Sequence, residues 1–181
     1  LKSAQSLSST LTGRARGSLL VIFLLSLVGL AYEVTLTRLF SVIFQYHYVF
    51  LIVSISIAGL SVGAAAAAWR AQRTRDVDYW SQMARAALLL ALLLVVVGVL
   101  IGLVTSSSQM LLILLVALLP FVAIGFMNAT LFARFAREGG TLYAADLAGG
   151  AAGVMAALAG VGWLGAFDAV FGLAAASAAI A

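Results

Sequence analysis

Apolar residues run along this chain in long unbroken blocks, and polar residues gather in short gaps between them. The first block spans about 18–44. Others follow at about 49–69, 86–104, 110–135 and 142–163, and a sixth begins near Ala169. A helix needs about 20 apolar residues to cross the roughly 30 Å hydrocarbon core of a bilayer. The five complete blocks are long enough, so the pattern predicts five membrane-spanning helices. Membrane strands would instead alternate in polarity over segments of about ten residues. The sixth block, 169–181, rises only about 20 Å as a helix. It is expected either to be re-entrant or, preferably, to continue beyond Ala181. Residues 1–17 are rich in Ser and Thr with Lys2, Arg14 and Arg16, and read as a cytoplasmic N-terminal tail. A cleavable signal ending near Gly29-Leu30-Ala31 is the competing reading, but the apolar run continues well past Ala31.

Composition changes this picture little. The chain is 65% hydrophobic and 9% charged, against about 45–50% and about 25% in soluble domains. The expected fold class is therefore an all-α polytopic membrane bundle, with the sixth helix truncated. The absence of cysteine excludes disulfides, thiolate metal sites and cysteine nucleophiles. Pro120 and Gly125 are expected to bend the fourth helix.

Charge supplies the topology. Every Lys and Arg except Arg38 falls within 1–17, 70–85 or 134–137. These segments share one side if each of the five helices crosses once. The opposite turns, 45–48 and 105–109, carry no Lys or Arg. Cytoplasmic loops are the ones enriched in basic residues, so the N-terminus is expected in the cytoplasm, in a bacterial inner membrane. The net charge of +4 is explained by this arrangement and gives no sign of nucleic acid.

Lipid offers no hydrophobic drive between helices, so small residues that permit close backbone approach mark the packing faces. Gly59 and Gly63 with Ala67, Gly98 and Gly102, and Ala145, Gly149, Gly153 and Ala157 form three such stripes. They predict a tight bundle, and the same faces could hold protein partners or a second copy of the chain.

The chemistry rests on few residues. Ionisable groups at membrane depth are costly and face a bundle interior or a wet cavity. Glu33 and Arg38 lie in the first block about 140° apart on a helix, so each needs a partner on another helix. Glu33 with Tyr32 is a candidate proton or cation site, or a carboxylate satisfied by a neighbouring helix. Arg38 reads as a structural charge that snorkels to the interface. Asp146, with Tyr143 one turn before it, could line an opening or complement the start of its helix. Asn128 reads as an interhelical hydrogen bond. His47, between two tyrosines, suits an interfacial aromatic cluster, and a lone histidine makes a poor metal site. No catalytic arrangement, metal site or cofactor fingerprint is present in the sequence. The glycines of the fifth block follow no strand and are not a dinucleotide-binding turn.

Three segments resemble one family. Tyr32-Glu33-Val34 with Thr37-Arg38-Leu39, followed by Gly59-Leu60-Ser61-Val62-Gly63, is similar to the first two helices of multi-pass spermidine-synthase-like proteins, also described as fused major-facilitator/spermidine synthases. Leu119-Pro120-Phe121 with Gly125 resembles their fourth helix. Leu142-Tyr143-Ala144-Ala145-Asp146-Leu147 with Gly149, Gly150 and Gly153 resembles their fifth, and is the most specific match. The resemblance covers about 17–181. It implies a bundle like half of a major facilitator, preceding a cytosolic aminopropyltransferase-like domain that this sequence does not contain. That absent domain would bind decarboxylated S-adenosylmethionine or a related nucleoside, plus a polyamine. The loop after the second helix has Arg70 and Arg73 but lacks the acidic residue that facilitators place there.

Three functions follow as expectations. The first is a membrane anchor that also handles cationic amines, with Glu33 and Asp146 as the amine contacts. The second is a structural subunit of a larger membrane complex. The third is a half-size transporter acting as a dimer.

Overall fold

Long apolar runs without internal breaks become long helices. A computed structural model describes residues 2–43, 49–73, 79–103, 110–163 and 166–181. Its helices are α1 (Lys2–Ile43), α2 (Val49–Arg73), α3 (Tyr79–Leu103), α4 (Met110–Arg134), α5 (Gly139–Trp163) and α6 (Ala166–Ala178), with a 3-10 turn over Ala136–Glu138 before α5. No strand occurs among the described residues. Five of the helices are long and apolar enough to cross a membrane. The chain is an all-α bundle and an integral membrane domain.

Four helix starts differ from expectation, that of α6 simply by beginning at Ala166 rather than near Ala169. Residues 2–17, read as a tail, continue α1. They contain no proline, and extending a nucleated helix costs far less than starting one. Helix α3 begins at Tyr79, two turns before its apolar block. Met83 and Ala87 already belong to the buried stripe that continues through Leu90, Leu94 and Val97, so its buried face starts before its hydrophobic run. Gly139 and Gly140, which lie in the gap before the fifth apolar block, are the first residues of α5. The break lies just upstream, where Phe135 leaves the helical region at φ −113° and Glu138 N donates to Phe135 O at 2.9 Å. The turns at 45–48 and 105–109, and His47 with them, lie outside the described residues.

Helix α1 occupies the middle. Ile22, Leu25, Val28, Tyr32 and Leu36 are completely buried, and α1 touches α2, α4, α5 and α6. The most extensive pairings are α1 with α5 and α2 with α4, and α3 rests on α6 and α4. The outer faces carry exposed apolar side chains, including Leu88, Leu92, Leu112 and Leu115. That surface suits hydrocarbon, where leucine meets tails as apolar as itself.

Glycines set both main pairings. A Cβ at Gly63 would lie 2.6 Å from Phe126 N and on the Val122 carbonyl oxygen. At Gly59 it would lie 2.6 Å from Phe121 Cβ. Across that contact, a Cβ at Gly125 would lie 2.7 Å from Leu60 Cα. On α5, Cβ atoms at Gly149 and Gly153 would each come within 2.9 Å of a backbone Cα of α1, at Phe23 and Leu27. Partners advance together along the chain in both cases (59 to 121 and 63 to 126; 149 to 23 and 153 to 27), so both pairs are parallel. Gly98 faces Val170 and Phe171 of α6, with 3.3 Å available to a Cβ. Gly102, expected to pack with it, is exposed. One turn beyond Gly98 the helix has already rotated about 40° further round.

The described arginines other than Arg38 gather at one end. Tyr79 at the start of α3 meets Phe135, just past α4, with ring centroids 6.0 Å apart and edge-on. Gly17 of α1 faces Trp80. Because α2 runs parallel to α4, its C-terminal Arg70 and Arg73 lie at this end too, with Arg73 4.0 Å above the Trp69 ring.

Candidate functional site

The face of α1 that carries Ser26 and Glu33 holds two interhelical polar contacts to carboxylates. Seven residues separate the two, so they lie within about 20° of each other and about 10 Å apart along the axis. Ser26 Oγ donates to Asp146 Oδ1 of α5. At the other position, Ser56 Oγ of α2 lies 3.0 Å from Glu33 Oε1. Both carboxylates thus line one track on α1, two turns apart, although they belong to different helices. Asp146 is brought there by the glycines that press α5 onto α1, three and seven residues further along its own helix. Both side chains are half-buried, and among the described residues neither forms an ion pair.

Ser56 has two acceptors within reach. Its Oγ is 3.0 Å from Glu33 and 2.8 Å from the Val53 carbonyl. A hydroxyl has one proton to donate and lone pairs to accept. An ionised Glu33 must receive that proton. A protonated Glu33 can instead donate to Ser56 Oγ, which frees the hydroxyl to bond Val53. The contact is satisfied in either protonation state.

The remaining candidates lie apart from the track. Tyr32 is fully buried and points to α4, where its hydroxyl donates to Ala117 O at 3.2 Å and its ring lies 5.0 Å from Phe121. Its neighbour in sequence, Glu33, is about 100° away on the helix. Tyr143 is 57% exposed on the outside of α5. Arg38 is also exposed. Asn128, expected to bond across helices, instead has a buried Oδ1 without a hydrogen-bond partner.

Sequence reasoning did not single out Ser26 or Ser56. Serine in a membrane helix ordinarily bonds back to the preceding turn, as Ser54 does to Phe50 O at 2.9 Å and Ser61 to Ile57 O at 2.8 Å. Only helix pairing separates the serines that reach across from those that do not. The nearest signal was spacing: Ser26 and Glu33 are seven apart, on one face.

No family model matches the chain, and no curated protein or solved structure matches it either.

Proposed function

We propose that this bundle is the membrane region of a spermidine-synthase-like protein, with its N-terminus in the cytoplasm, and that it contacts cationic amines through Glu33 and Asp146. The observation that carries the reading is the carboxylate track on α1. Two carboxylates about 10 Å apart along one helix face, each held by a neutral hydroxyl and, among the described residues, by no protein cation, are natural contacts for ammonium groups. A flexible polyamine has ammonium groups at several points along its length, so it can meet both carboxylates, whereas a small monoamine meets one.

The direct test is spermidine binding to the full chain in nanodiscs. The Glu33→Gln/Asp146→Asn double variant should bind at least about tenfold more weakly, since a lost charge-assisted hydrogen bond costs about 1.5–3 kcal/mol. Unchanged binding would remove the amine role. The anchoring role is tested separately by the intact mass of the natively purified polypeptide. Peptides beyond Ala181 are expected, and a mass equal to residues 1–181 alone would overturn it.

A structural reading draws on the same bonds. If the Ser26–Asp146 contact only ties α1 to α5, the bundle is an accessory subunit. Stoichiometric partners in mild detergent, with no amine binding, would establish that reading.

A further inference from the structure

Two buried side-chain oxygens have no hydrogen-bond partner among the described residues, the Tyr79 hydroxyl and Asn128 Oδ1. Tyr79 starts α3 at the arginine-rich end, but Asn128 lies inside the fourth membrane span. A buried acceptor without a donor is costly, and native structures keep few of them unless something outside the fold supplies the donor.

The contacts of α4 show where Asn128 stands. A Cβ at Gly29 of α1 would lie 3.5 Å from the Ile124 side chain, and Tyr32 meets Phe121 and the Ala117 carbonyl. Partners advance in opposite directions, so α1 and α4 are antiparallel. One turn past Ile124, Asn128 is level with Leu25 and Ser26 of α1. It is also turned toward α2. On the α4 wheel it falls between Ile124, about 40° away and facing α1, and Gly125, about 60° away and facing Leu60 of α2. On α1, Ser26 and Glu33 are displaced from Gly29 in the same sense, by about 60° and 40°, and Glu33 is the residue that Ser56 of α2 reaches. Asn128 is therefore not on the α1 face that carries the carboxylate track, but stands across the junction of α1, α2 and α4 from its first bond.

Acceptors outnumber donors at that level. Ser26 gives its one proton to Asp146, which leaves lone pairs on Oγ. An ionised Asp146 only accepts, and Asn128 presents Oδ1.

We infer that Asn128 supplies the third acceptor, beside Asp146 and Ser26 Oγ, for one primary ammonium group. This rests on the amine reading above and gives the ligand a direction: its primary end sits at Ser26, and its next ammonium lies along the track at Glu33. A primary ammonium has three N–H donors, one for each oxygen, whereas a trimethylammonium has none. A water molecule would satisfy Oδ1 but bring no positive charge to Asp146.

Displacement of radiolabelled spermidine from the full chain in nanodiscs tests the assignment, with butylamine, butyltrimethylammonium and sodium as competitors. Butylamine should displace spermidine from the unmodified chain at lower concentration than butyltrimethylammonium. Asn128→Leu and Asn128→Ala should bind spermidine about tenfold more weakly and lose most of that discrimination. Asn128→Asp, still an acceptor, should bind at least as tightly as the unmodified chain. Without ligand, Asn128→Leu should keep or raise the unfolding midpoint, because it removes an unsatisfied acceptor. Unchanged spermidine affinity in Asn128→Leu and Asn128→Ala overturns this assignment and leaves the carboxylate reading intact. So does equal displacement by the two butyl competitors, or displacement by sodium at the butylamine concentration, which would mark a site for a metal cation. Loss of ligand-free stability in both variants also overturns it, because Asn128 would then be a tie between helices. Absence of spermidine binding in the unmodified chain overturns both readings together.

Discussion

The two parallel helix pairs solve one packing problem in different ways. Between α2 and α4 there are glycines on both sides, Gly59 and Gly63 facing α4 and Gly125 facing α2. Between α1 and α5 the glycines are all on α5, and α1 meets them with the backbone of Phe23 and Leu27. The α1–α5 contact adds a polar tie, Ser26 to Asp146. Van der Waals packing is the main source of association in lipid. A two-sided glycine contact gains it from backbone against backbone. A one-sided contact supplements it with a hydrogen bond. Asp146, one of the two carboxylates that carry the functional proposal, therefore lies at the seam whose packing is supplemented, so its structural and functional roles must be separated by experiment.

The largest effect is expected from closing either contact. Gly63→Val and Gly149→Val place side-chain atoms against backbone that cannot move aside. Each should destabilise the bundle by about 3 kcal/mol, the upper end of the ordinary overpacking range, measured as unfolding in mixed micelles. If Gly149→Val is tolerated much better than Gly63→Val, the one-sided pair is the more adaptable of the two.

The polar tie should come next. A double-mutant cycle with Ser26→Ala and Asp146→Asn should give a coupling of about 1 kcal/mol, in the range of interhelical hydrogen bonds in membranes. The same cycle on Ser56→Ala and Glu33→Gln measures the second contact of the track. A coupling indistinguishable from zero at Ser26–Asp146 would leave the glycines as the sole basis of the α1–α5 seam.

Neighbouring glycines sharpen the contrast further. Gly150 is adjacent to Gly149, but a Cβ there would meet only the Leu30 side chain, with Cδ1 at 2.8 Å. Leu30 is 41% exposed and can change rotamer, so Gly150→Ala should cost under about 1 kcal/mol. The smallest effect belongs to Gly102, which is exposed. Gly102→Ala should be neutral or stabilising by up to about 1 kcal/mol through helix propensity alone. A loss at Gly102 comparable to that at Gly149 would mean that its face is covered in the assembled protein.

These glycines also mark how far the sequence could be read. Blocks of apolar residues determine helices in lipid because every backbone polar group must be satisfied within the segment, so the five spans were legible from length alone. The stripes at Gly59/Gly63 and Gly149/Gly153 were legible as close contacts, because small residues four apart have few other uses in a membrane helix. Their partners were not legible. Nothing local to Gly149 indicates Phe23 rather than any other backbone, and the Gly98/Gly102 stripe showed the same spacing while only its first member is buried. Tyr32 and Glu33 read as a unit because they are adjacent, yet helical geometry sends one to α4 and the other toward α2. Ser26 stayed unnoticed because its role depends on α5 being beside it.

That dependence reaches into how the protein is made. Ser26 and Asp146 are 120 residues apart, and chains emerge from the ribosome at about 5–20 residues per second. Helix α1 therefore spends on the order of 6–24 s in the membrane before its main partner is synthesised. Throughout that interval the face meant for α5 is turned to lipid, to α2 or to the insertion machinery. The bundle's central helix is the first to be produced and the last to be enclosed, so a ribosomal pause or truncation between α2 and α5 would leave its serine-bearing face open to other partners and to proteolytic surveillance.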